Sequence, residues 1–290
     1  MFNKLLCSTK RLSFKIIAVL ITFLCFFLIL QCAFNNRVAV RHYTIKTDKL
    51  GANTSVRAVV LSDLHSTIHG NNQQSLIDKI VRQNPDVILL AGDIADDNAP
   101  FEGTRLLLEG IHDLCPVYYV TGNHEYWHSD VQWILEQIES LGVTILSDEY
   151  EEIEINRNTI LIAGVEDPER WRFDRDYVWE NSIDEAFCEL TSSDTFKFLI
   201  AHRPERIETY VKYPFDLVVS GHTHGGQVRI PFILNGLIAP DQDWHPEYSG
   251  GLYKFNELFL IISRGLSINP RLPRIFNPPE IVVIDILGLY

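Results

Sequence analysis

The sequence predicts an α/β protein with one transmembrane helix near its N-terminus. Two observations favour this fold class: short apolar runs alternate with helical patterns through most of the chain, and a long uncharged apolar stretch precedes them. The chain has 290 residues, of which 46% are hydrophobic and 22% are charged. This composition supplies enough apolar material for a large core and excludes a disordered or low-complexity protein.

The N-terminal region predicts a membrane anchor. Residues 1–15 form a basic tail, and Ile16–Phe34 is a stretch of 19 residues without a charge. As a helix this stretch would extend about 28 Å, close to the thickness of the hydrocarbon core of a bilayer. A buried core helix of this length would show a polar face, and a cleaved signal peptide would end in a small-residue cleavage site. Neither feature is evident, so we expect an uncleaved anchor over residues 16–34.

The basic residues beside the anchor predict its orientation. Four Lys or Arg residues precede it, and four more follow within about twenty residues. The α-amino group adds one positive charge to the N-terminal side. We therefore expect the N-terminus in the cytoplasm and the rest of the protein outside it, at the cell membrane. Residues 35–55 are mixed and polar, which predicts a linker before one domain over residues 56–290.

Charge is distributed unevenly along the chain. Residues 1–41 contain six basic residues and no acidic one, whereas the remainder contains 19 basic and 38 acidic residues. Such an acidic domain cannot hold nucleic acid by neutralising its phosphates, so we expect no nucleic-acid partner. The same charge suits metal cations. Five cysteines without CxxC spacing rule out a disulfide scaffold and give no indication of a zinc finger.

Short apolar runs predict the strands of the domain. They are rich in Val, Ile and Leu, as buried strands are, and they cover Arg57–Leu61, Val87–Ala91, Val117–Val120, Phe198–Ala201, Leu217–Val219, Leu258–Ile262 and Glu280–Ile286. Helical patterns lie between the early runs, at Gln74–Arg82 and Val131–Leu141. This alternation predicts an α/β sheet. No helical pattern separates the last two runs, which predicts a second, more antiparallel sheet.

Polar residues follow five of these predicted strands directly. They are Asp63-Leu64-His65, Gly92-Asp93, Gly122-Asn123-His124-Glu125, His202 and Gly221-His222-Thr223-His224. The carboxyl ends of strands form the binding crevice of an open α/β sheet, so we expect these side chains to converge. They are too many for one tetrahedral ion but suit two ions that share a ligand. Oxygen and imidazole donors without thiolate favour Mn, Fe or Zn.

Each of these motifs alone is weak, because a capping Asp or a surface His explains it equally well. The H-x-H pair is stronger, since the alternation of a strand puts both imidazoles on one face. All five motifs in order, each closing an apolar run, form a specific signal.

Together the motifs resemble the calcineurin-like metallophosphoesterase family, whose pattern is D-x-H, GD, GNH[ED], H and GHxH. The resemblance covers residues 57 to about 228. Three segments also resemble the membrane-associated bacterial branch, which contains phosphodiesterases and relatives of UDP-diacylglucosamine pyrophosphatases: Ala201–Glu205, Gly221–Gln227 and Pro278–Ile281. The resemblance implies a four-layer α/β/β/α sandwich of two mixed sheets.

The resemblance also implies a role for each motif residue. Three residues would hold a first divalent ion and three a second: Asp63, His65 and His224, then Asn123, His202 and His222. Asp93 would bridge the two ions, because a carboxylate offers two oxygens at that separation. The ions would activate a water for in-line attack on phosphorus. His124 would protonate the leaving group or stabilise the charge on the phosphoryl oxygens.

The predicted function is that of a membrane-anchored dinuclear phosphoesterase, which hydrolyses a phosphodiester or pyrophosphate bond in a lipid-linked substrate. One alternative is a phosphomonoesterase acting on soluble substrates. Another is a non-catalytic metal-binding scaffold of the same fold, although a scaffold would not need His124 and all seven ligands.

Three further features have two interpretations each. Glu125 either orients His124 or caps a helix. Arg203 is either a surface residue or a phosphate contact. Pro231–Pro240 is apolar, and it forms either a partly buried β-loop or an apolar rim for a lipid chain.

Overall fold

A computed structural model of the protein describes residues 2–269 and 272–289, with side chains from residue 15 onward. Its first element is helix α1, Phe2–Ala33. The segment Lys15–Ala33 of this helix is long and apolar enough to cross a membrane. Its large apolar side chains from Ile16 to Leu30 are at least 38% exposed, so the domain does not bury them. The predicted apolar helix is confirmed. The backbone of the predicted basic tail continues the same helix, and most of its side chains lie outside the described residues.

The described part of the chain contains fourteen strands and six further helices. The strands are β1 Ala39–Thr47, β2 Ser55–Leu61, β3 Val87–Ala91, β4 Val117–Val120, β5 Thr144–Ile145, β6 Glu149–Ile155, β7 Asn158–Gly164, β8 Phe196–Ile200, β9 Leu217–Ser220, β10 Ile238–Ala239, β11 Asp243–Trp244, β12 Gly251–Phe255, β13 Leu258–Ile262 and β14 Glu280–Gly288. The helices are α2 Gln74–Val81, α3 Glu102–Ile111, α4 Asn123–Trp127, α5 Val131–Ser140, α6 Trp179–Phe187 and α7 Ile207–Tyr210.

The strands form two six-stranded sheets and one small pair, β10 and β11. Sheet 1 has the order β1-β14-β2-β3-β4-β5, and sheet 2 has the order β12-β13-β9-β8-β7-β6. In sheet 1, β2, β3 and β4 are parallel, whereas β14 runs antiparallel to β2. In sheet 2, β7, β8 and β9 are parallel. The two edge strands are antiparallel to their neighbours, β6 to β7 and β12 to β13. Both sheets are therefore mixed, as predicted.

The alternation of side chains along the strands produces the layers. In β2, Val56, Ala58 and Val60 lie in the core between the two sheets, whereas Val59 and Leu61 pack against α2, α3 and α5. The outer face of sheet 2 packs in the same way against α6 and α7. These three cores separate four layers, which confirms the predicted α/β/β/α sandwich.

The predicted linker, residues 35–55, is wrong in its central part. Strand β1 lies there and pairs in parallel with β14, beginning with Ala39 opposite Glu280. Ile45 of β1 is buried while its neighbours face solvent. An edge strand needs only one apolar face, so its sequence looks mixed and polar. Only residues 34–38 separate α1 from the first strand.

The prediction that the last two strands share a second, more antiparallel sheet is also wrong. Strand β13 lies in sheet 2, parallel to β9, whereas β14 lies in sheet 1, antiparallel to β2. Two strands without a helix between them need not be neighbours, because a long connection can cross from one sheet to the other. This connection passes along the edge of the sandwich that carries the polar motifs, where Asn277 donates a hydrogen bond to the carbonyl of His224.

Candidate metal centre

The predicted site residues lie at one edge of the sandwich, where strands of both sheets end. Sheet 1 contributes five of them after β2, β3 and β4: Asp63, His65, Asp93, Asn123 and His124. Sheet 2 contributes the other three after β8 and β9: His202, His222 and His224. The structure brings all eight together.

Much of the backbone at this edge is strained. Five of the eight residues have positive φ angles: Asp63 at 48°, His65 at 46°, Asp93 at 53°, His222 at 68° and His224 at 48°. Non-glycine residues adopt this conformation only at a cost, and such residues cluster at functional sites. The strain is consistent with side chains that are held in place for chemistry.

Backbone amides hold one oxygen of each central carboxylate. The amide of His124 donates to Asp93 Oδ1 at 2.9 Å, and the amide of His222 donates to Asp63 Oδ1 at 2.9 Å. The second oxygen of Asp93 then lies between two imidazoles, 3.2 Å from His202 Nε2 and 3.6 Å from His65 Nε2. Asp93 is thus oriented with one oxygen bound to the fold and the other between two imidazoles, whereas Oδ1 of Asp63 both accepts the amide of His222 and lies 3.7 Å from His224 Nε2.

Two glycines allow this close approach. A Cβ at Gly122 would collide with Asp93 Oδ1, and a Cβ at Gly221 would lie 2.5 Å from Asp63 Oδ2. Any larger residue at either position would displace a carboxylate. The glycines that precede Asn123 and His222 in the motifs therefore make space for the carboxylates of the facing loops.

His202 shows why this site favours a cation. Its Nδ1 lies 2.8 Å from the carbonyl oxygen of Ala91 and must donate to it, which leaves Nε2 facing Asp93 Oδ2. Two acceptors at this distance repel unless a proton or a metal ion lies between them. Burial lowers the pKa of His202, but Asp93 outweighs it and raises the pKa to about 10. The pair of His202 Nε2 and Asp93 Oδ2 therefore has a strong affinity for a proton or a metal cation.

Among the described residues, five groups of three side chains have their ligand atoms within 4.8 Å of one another, and two of these groups together contain six of the seven predicted ligands. The outer cluster consists of Asp63, His65 and His224, and the inner cluster consists of Asp93, His202 and His222. Among the described residues, several buried site atoms have no hydrogen-bond partner: Asp63 Oδ2, His65 Nε2, Asn123 Oδ1 and His202 Nε2. Buried polar atoms are normally satisfied. Such a set of unsatisfied oxygen and imidazole donors fits divalent metal ions.

His124 lies beside both clusters. Its Nδ1 is 2.6 Å from Asp97 Oδ1, and its ring packs edge-on against His65 with centroids 4.3 Å apart. The carboxylate holds Nδ1 as a donor, so Nε2 is the nitrogen left for a ligand. His124 borders two cavities: a wide cavity of about 550 Å³ and a narrow cleft of about 220 Å³ that also contains Asp93 and His222.

A sequence model described as calcineurin-like phosphoesterase matches residues 56–226 of the chain. The chain belongs to this family. It is 30% identical over 258 residues to a protein of Aquifex aeolicus named uncharacterized metallophosphoesterase, an alignment that covers 86% of this chain and 92% of the relative. It is 26% identical over 211 residues to phosphodiesterase YaeI of Escherichia coli, covering 71% and 72% of the two chains. It is 29% identical over 212 residues to a Danio rerio transmembrane protein with metallophosphoesterase domain, covering 70% of this chain and 46% of the relative.

These similarities establish the class of the protein. The family is metal-dependent, and the chain is a phosphoester hydrolase. The predicted family, fold and enzyme class are confirmed.

Sequence reasoning missed three acidic residues of this phosphoesterase. Asp96 Oδ2 lies 3.0 Å from His65 Nδ1, Asp97 holds His124, and Asp241 Oδ2 lies 2.8 Å from His222 Nε2. Burial raises the pKa of Asp96, but its hydrogen bond with His65 outweighs this and lowers the pKa to about 2. The only signal in the sequence was that two acids follow Asp93 by three and four positions.

Two other interpretations are decided by contacts. Glu125 accepts hydrogen bonds from the amides of Gly122, Asp93 and Ala95, at 2.8, 3.0 and 2.9 Å. It therefore caps α4 and connects two motif loops. Among the described residues, its side chain makes these hydrogen bonds to backbone amides and none to the imidazole of His124. Arg203 is only 7% exposed and forms a paired hydrogen bond with Asp167, so the surface interpretation is wrong.

The lining of the wide cavity is chemically mixed. It includes His65, His124 and His224 together with the apolar residues Ile238, Ile268 and Leu272. Arg274 also borders it and is 4% exposed. The cavity thus joins an apolar surface to the polar centre of the phosphoesterase.

Proposed function

We propose that the protein is a membrane-anchored phosphoesterase that uses two divalent cations to cleave a phosphodiester or pyrophosphate bond in a lipid-linked substrate. One observation carries the two-cation part. Asp93 Oδ2 lies 3.6 Å from His65 of the outer cluster and 3.2 Å from His202 of the inner cluster. A single carboxylate oxygen between two sets of imidazoles supports an arrangement of two ions that share this ligand.

The proposed ligands follow the two clusters. The outer cluster of Asp63, His65 and His224 would hold one ion. His202 and His222 of the inner cluster would hold the other, with Asp93 shared. Asn123 would complete the second set, since its buried Oδ1 is without a partner among the described residues. These donors suit Mn, Fe or Zn.

When bound, the cations would supply the Lewis acidity that activates water and neutralises phosphoryl charge. The chain itself would supply the proton. Asp97 fixes the ring of His124 through Nδ1, so a proton on Nε2 would point toward the substrate and could be donated to the leaving oxygen. The backbone amides of His222 and His124, which donate to Asp63 and Asp93, keep these two carboxylates from rotating during this step. His124 is therefore the proposed catalytic residue.

The wide cavity supports a lipid-linked leaving group. The apolar side chains of Ile238, Ile268 and Leu272 line the same cavity as His124, and a purely ionic substrate would make no favourable contact with them. The Lys15–Ala33 helix is long and apolar enough to span a membrane, which supports a substrate that lies in or at a bilayer. A phosphomonoesterase with soluble substrates remains the alternative, and nucleic acid is not expected as a partner.

Full-length chain in lipid nanodiscs provides the test of substrate and cofactor. The chain would be stripped of metal, reloaded with Mn, Zn or Mg, and assayed on a soluble monoester, a soluble diester and a lipid-linked pyrophosphate, while mass spectrometry counts bound ions. We expect two ions per chain and the highest kcat/KM on the lipid-linked substrate. A preference for the monoester would contradict the substrate proposal, and one ion per chain at full activity would contradict the dinuclear one.

The orientation can be tested separately with native Cys188, which is exposed on the domain. We propose that the N-terminus is cytoplasmic and the domain lies outside. A membrane-impermeant maleimide applied to intact cells should then modify Cys188, as located by peptide mass spectrometry. Labelling of Cys188 only after the cells are opened would place the domain inside.

A further inference from the structure

The end of α1 is fixed to the domain rather than tethered loosely. The carbonyl of Ala33 accepts a hydrogen bond from the amide of Phe276 at 2.7 Å, and Ala33 is 5% exposed. Strand β1 begins opposite Glu280, and Val282 lies opposite Val60 near the end of β2. The start of β1 therefore lies at the edge of sheet 1 where β2 leads into Asp63. The anchor and the candidate metal centre share this edge.

A short turn lies beside the residue that holds the anchor. Val228 pairs with Ile275, and the amide of Arg229 donates to the carbonyl of Ile275 at 2.9 Å. The chain then reverses, with reciprocal hydrogen bonds of 3.0 and 2.8 Å between Ile230 and Leu234. The Ile230–Leu234 turn thus begins beside Ile275, the residue that precedes Phe276, and most of its side chains are exposed.

The tip of this turn is apolar and exposed. The exposed fraction of Phe232 is 109%, that of Ile233 is 81% and that of Ile230 is 46%. Phe232 also has a φ angle of 67°, a conformation that costs free energy for a bulky residue. Its ring recovers none of that cost by packing against the described part of the domain. Adjacent apolar side chains with this much exposure mark a surface that a membrane or another protein covers.

The surroundings of the turn indicate what that body is. Phe34, directly after α1, is 52% exposed, and Leu272 on the segment leading to Phe276 is 49% exposed. Arg37 and Arg41 are exposed beside the start of β1. Apolar side chains flanked by Arg match the boundary between acyl chains and anionic headgroups. Backbone hydrogen bonds of the adjacent residues Ile275 and Phe276 connect the base of the turn to the end of the anchor, so a bilayer that contains the anchor would also reach the turn.

We propose that the Ile230–Leu234 turn inserts into the lipid bilayer that α1 spans and forms a second membrane contact of the domain. This inference rests on the proposed anchoring. Two contacts at one edge, the anchor and the turn, fix how the domain is tilted. They hold the wide cavity at the headgroup level, because Gln227 at the base of the turn borders that cavity.

The test uses full-length chain in nanodiscs, with the native cysteines replaced by serine and one reporter cysteine introduced. Ile233→Cys carries an environment-sensitive fluorophore at the tip of the turn. Leu114→Cys is the matched control, since Leu114 is an exposed apolar residue just before β4, at the opposite edge of sheet 1. We expect a blue-shifted emission at position 233 that doxyl lipids quench, and a water-like emission at position 114 that they do not. Ion-dependent turnover of a soluble diester verifies that each labelled chain is folded.

A second variant measures the contribution of the neighbouring ring. Adding Phe232→Ser to the labelled chain should weaken insertion of the turn roughly tenfold or more, the effect of exposing one buried aromatic side chain. Doxyl quenching should fall accordingly, while turnover of the soluble diester stays unchanged.

The outcomes separate this inference from the proposal on which it rests. Extraction of the full-length chain by alkaline carbonate would overturn the anchoring, and the second contact with it. A chain that stays in the nanodisc with a water-exposed label at position 233 would overturn the second contact alone. A label that is shielded but not quenched by doxyl lipids would indicate a protein partner at the turn and would also overturn it.

Discussion

The outer and inner clusters contain the same kinds of ligand, but they differ in exposure and in what holds them. In the outer cluster the side chains of His65 and His224 are 10% and 16% exposed. In the inner cluster those of Asp93, His202 and His222 are 1%, 0% and 4% exposed. The outer cluster therefore opens to the wide cavity through its two imidazoles, and the inner cluster is more deeply buried at the base of the narrow cleft.

The histidines also differ in what holds them, although not without exception. In the inner cluster His202 is held by the main-chain carbonyl of Ala91, whereas His222 contacts the carboxylate of Asp241. In the outer cluster, His65 is held by the carboxylate of Asp96, and His224 Nδ1 lies 3.2 Å from the hydroxyl of Ser267. A ligand positioned by the backbone depends on the fold, whereas a ligand positioned by a side chain can be adjusted by a point mutation. The comparison suggests an inner site that stabilises the sandwich and an outer site that meets the substrate.

The largest effect should come from the residue that both clusters share. Asp93→Asn preserves the shape of the side chain but removes its charge, so both ions should bind weakly and kcat/KM should fall by roughly 10⁴-fold or more, given several kcal/mol of stabilisation per site. Soluble-diester kinetics and ion counts by mass spectrometry measure this. Asp86→Asn is the matched control, because Asp86 accepts a hydrogen bond from the amide of Arg57 at the far end of the sheet. Normal ion content in Asp93→Asn would contradict the proposal that Asp93 is a ligand of both ions.

The next largest effect should affect rate without affecting the ions. His124→Ala should keep both ions and lower kcat by roughly 10²–10⁴-fold, the range of a general acid. The loss should be greater for poor leaving groups, which need the proton most. His112→Ala, at an exposed histidine after α3, is the control. If His124→Ala hydrolyses a poor leaving group as fast as the wild type, the assigned role is wrong.

These two residues also show how far the sequence reaches. Asp93 and His124 could be located because each directly follows an apolar run, and strands that run in parallel bring their ends to one edge. The same reasoning, from local patterns and the rule that carboxyl ends converge, brought all seven proposed ligands to one edge. The four layers and the role of each ligand came from the family resemblance.

What the sequence missed depends on contacts between distant segments. Strand β1 has one exposed face, so its apolar signal is half that of a buried strand and it resembled a linker. Asp96 and Asp97 looked like ordinary loop acids until the fold placed them on His65 and His124. Arg203 looked like a surface residue because nothing near it in sequence predicts Asp167. Pairing across loops leaves no periodic signal in a single chain.

A smaller effect should separate those two acids. Asp96→Asn should weaken ion binding to the outer cluster by about 10–100-fold, because it removes the carboxylate that orients His65. Asp97→Asn should instead lower kcat by a similar factor with both ions retained, because its partner is His124. The two variants differ by one position and serve as controls for each other. Ion titration beside kinetics distinguishes them, and the reverse assignment of effects would contradict the proposed roles.

The smallest effect, on thermal stability, tests the comparison most directly. One bound ion at about a hundredfold excess over its Kd stabilises the folded state by about 2.7 kcal/mol, which corresponds to a rise in Tm of roughly 5–10 °C for a domain of this size. Both clusters join the two sheets, but the inner cluster should supply most of the rise, since its three side chains are at most 4% exposed. His202→Ala should therefore remove most of the ion-dependent rise, and His224→Ala should keep most of it. Differential scanning fluorimetry of both variants, with and without a chelator, measures the rise. Equal losses in the two variants would mean that the clusters contribute alike to stability, despite their difference in burial.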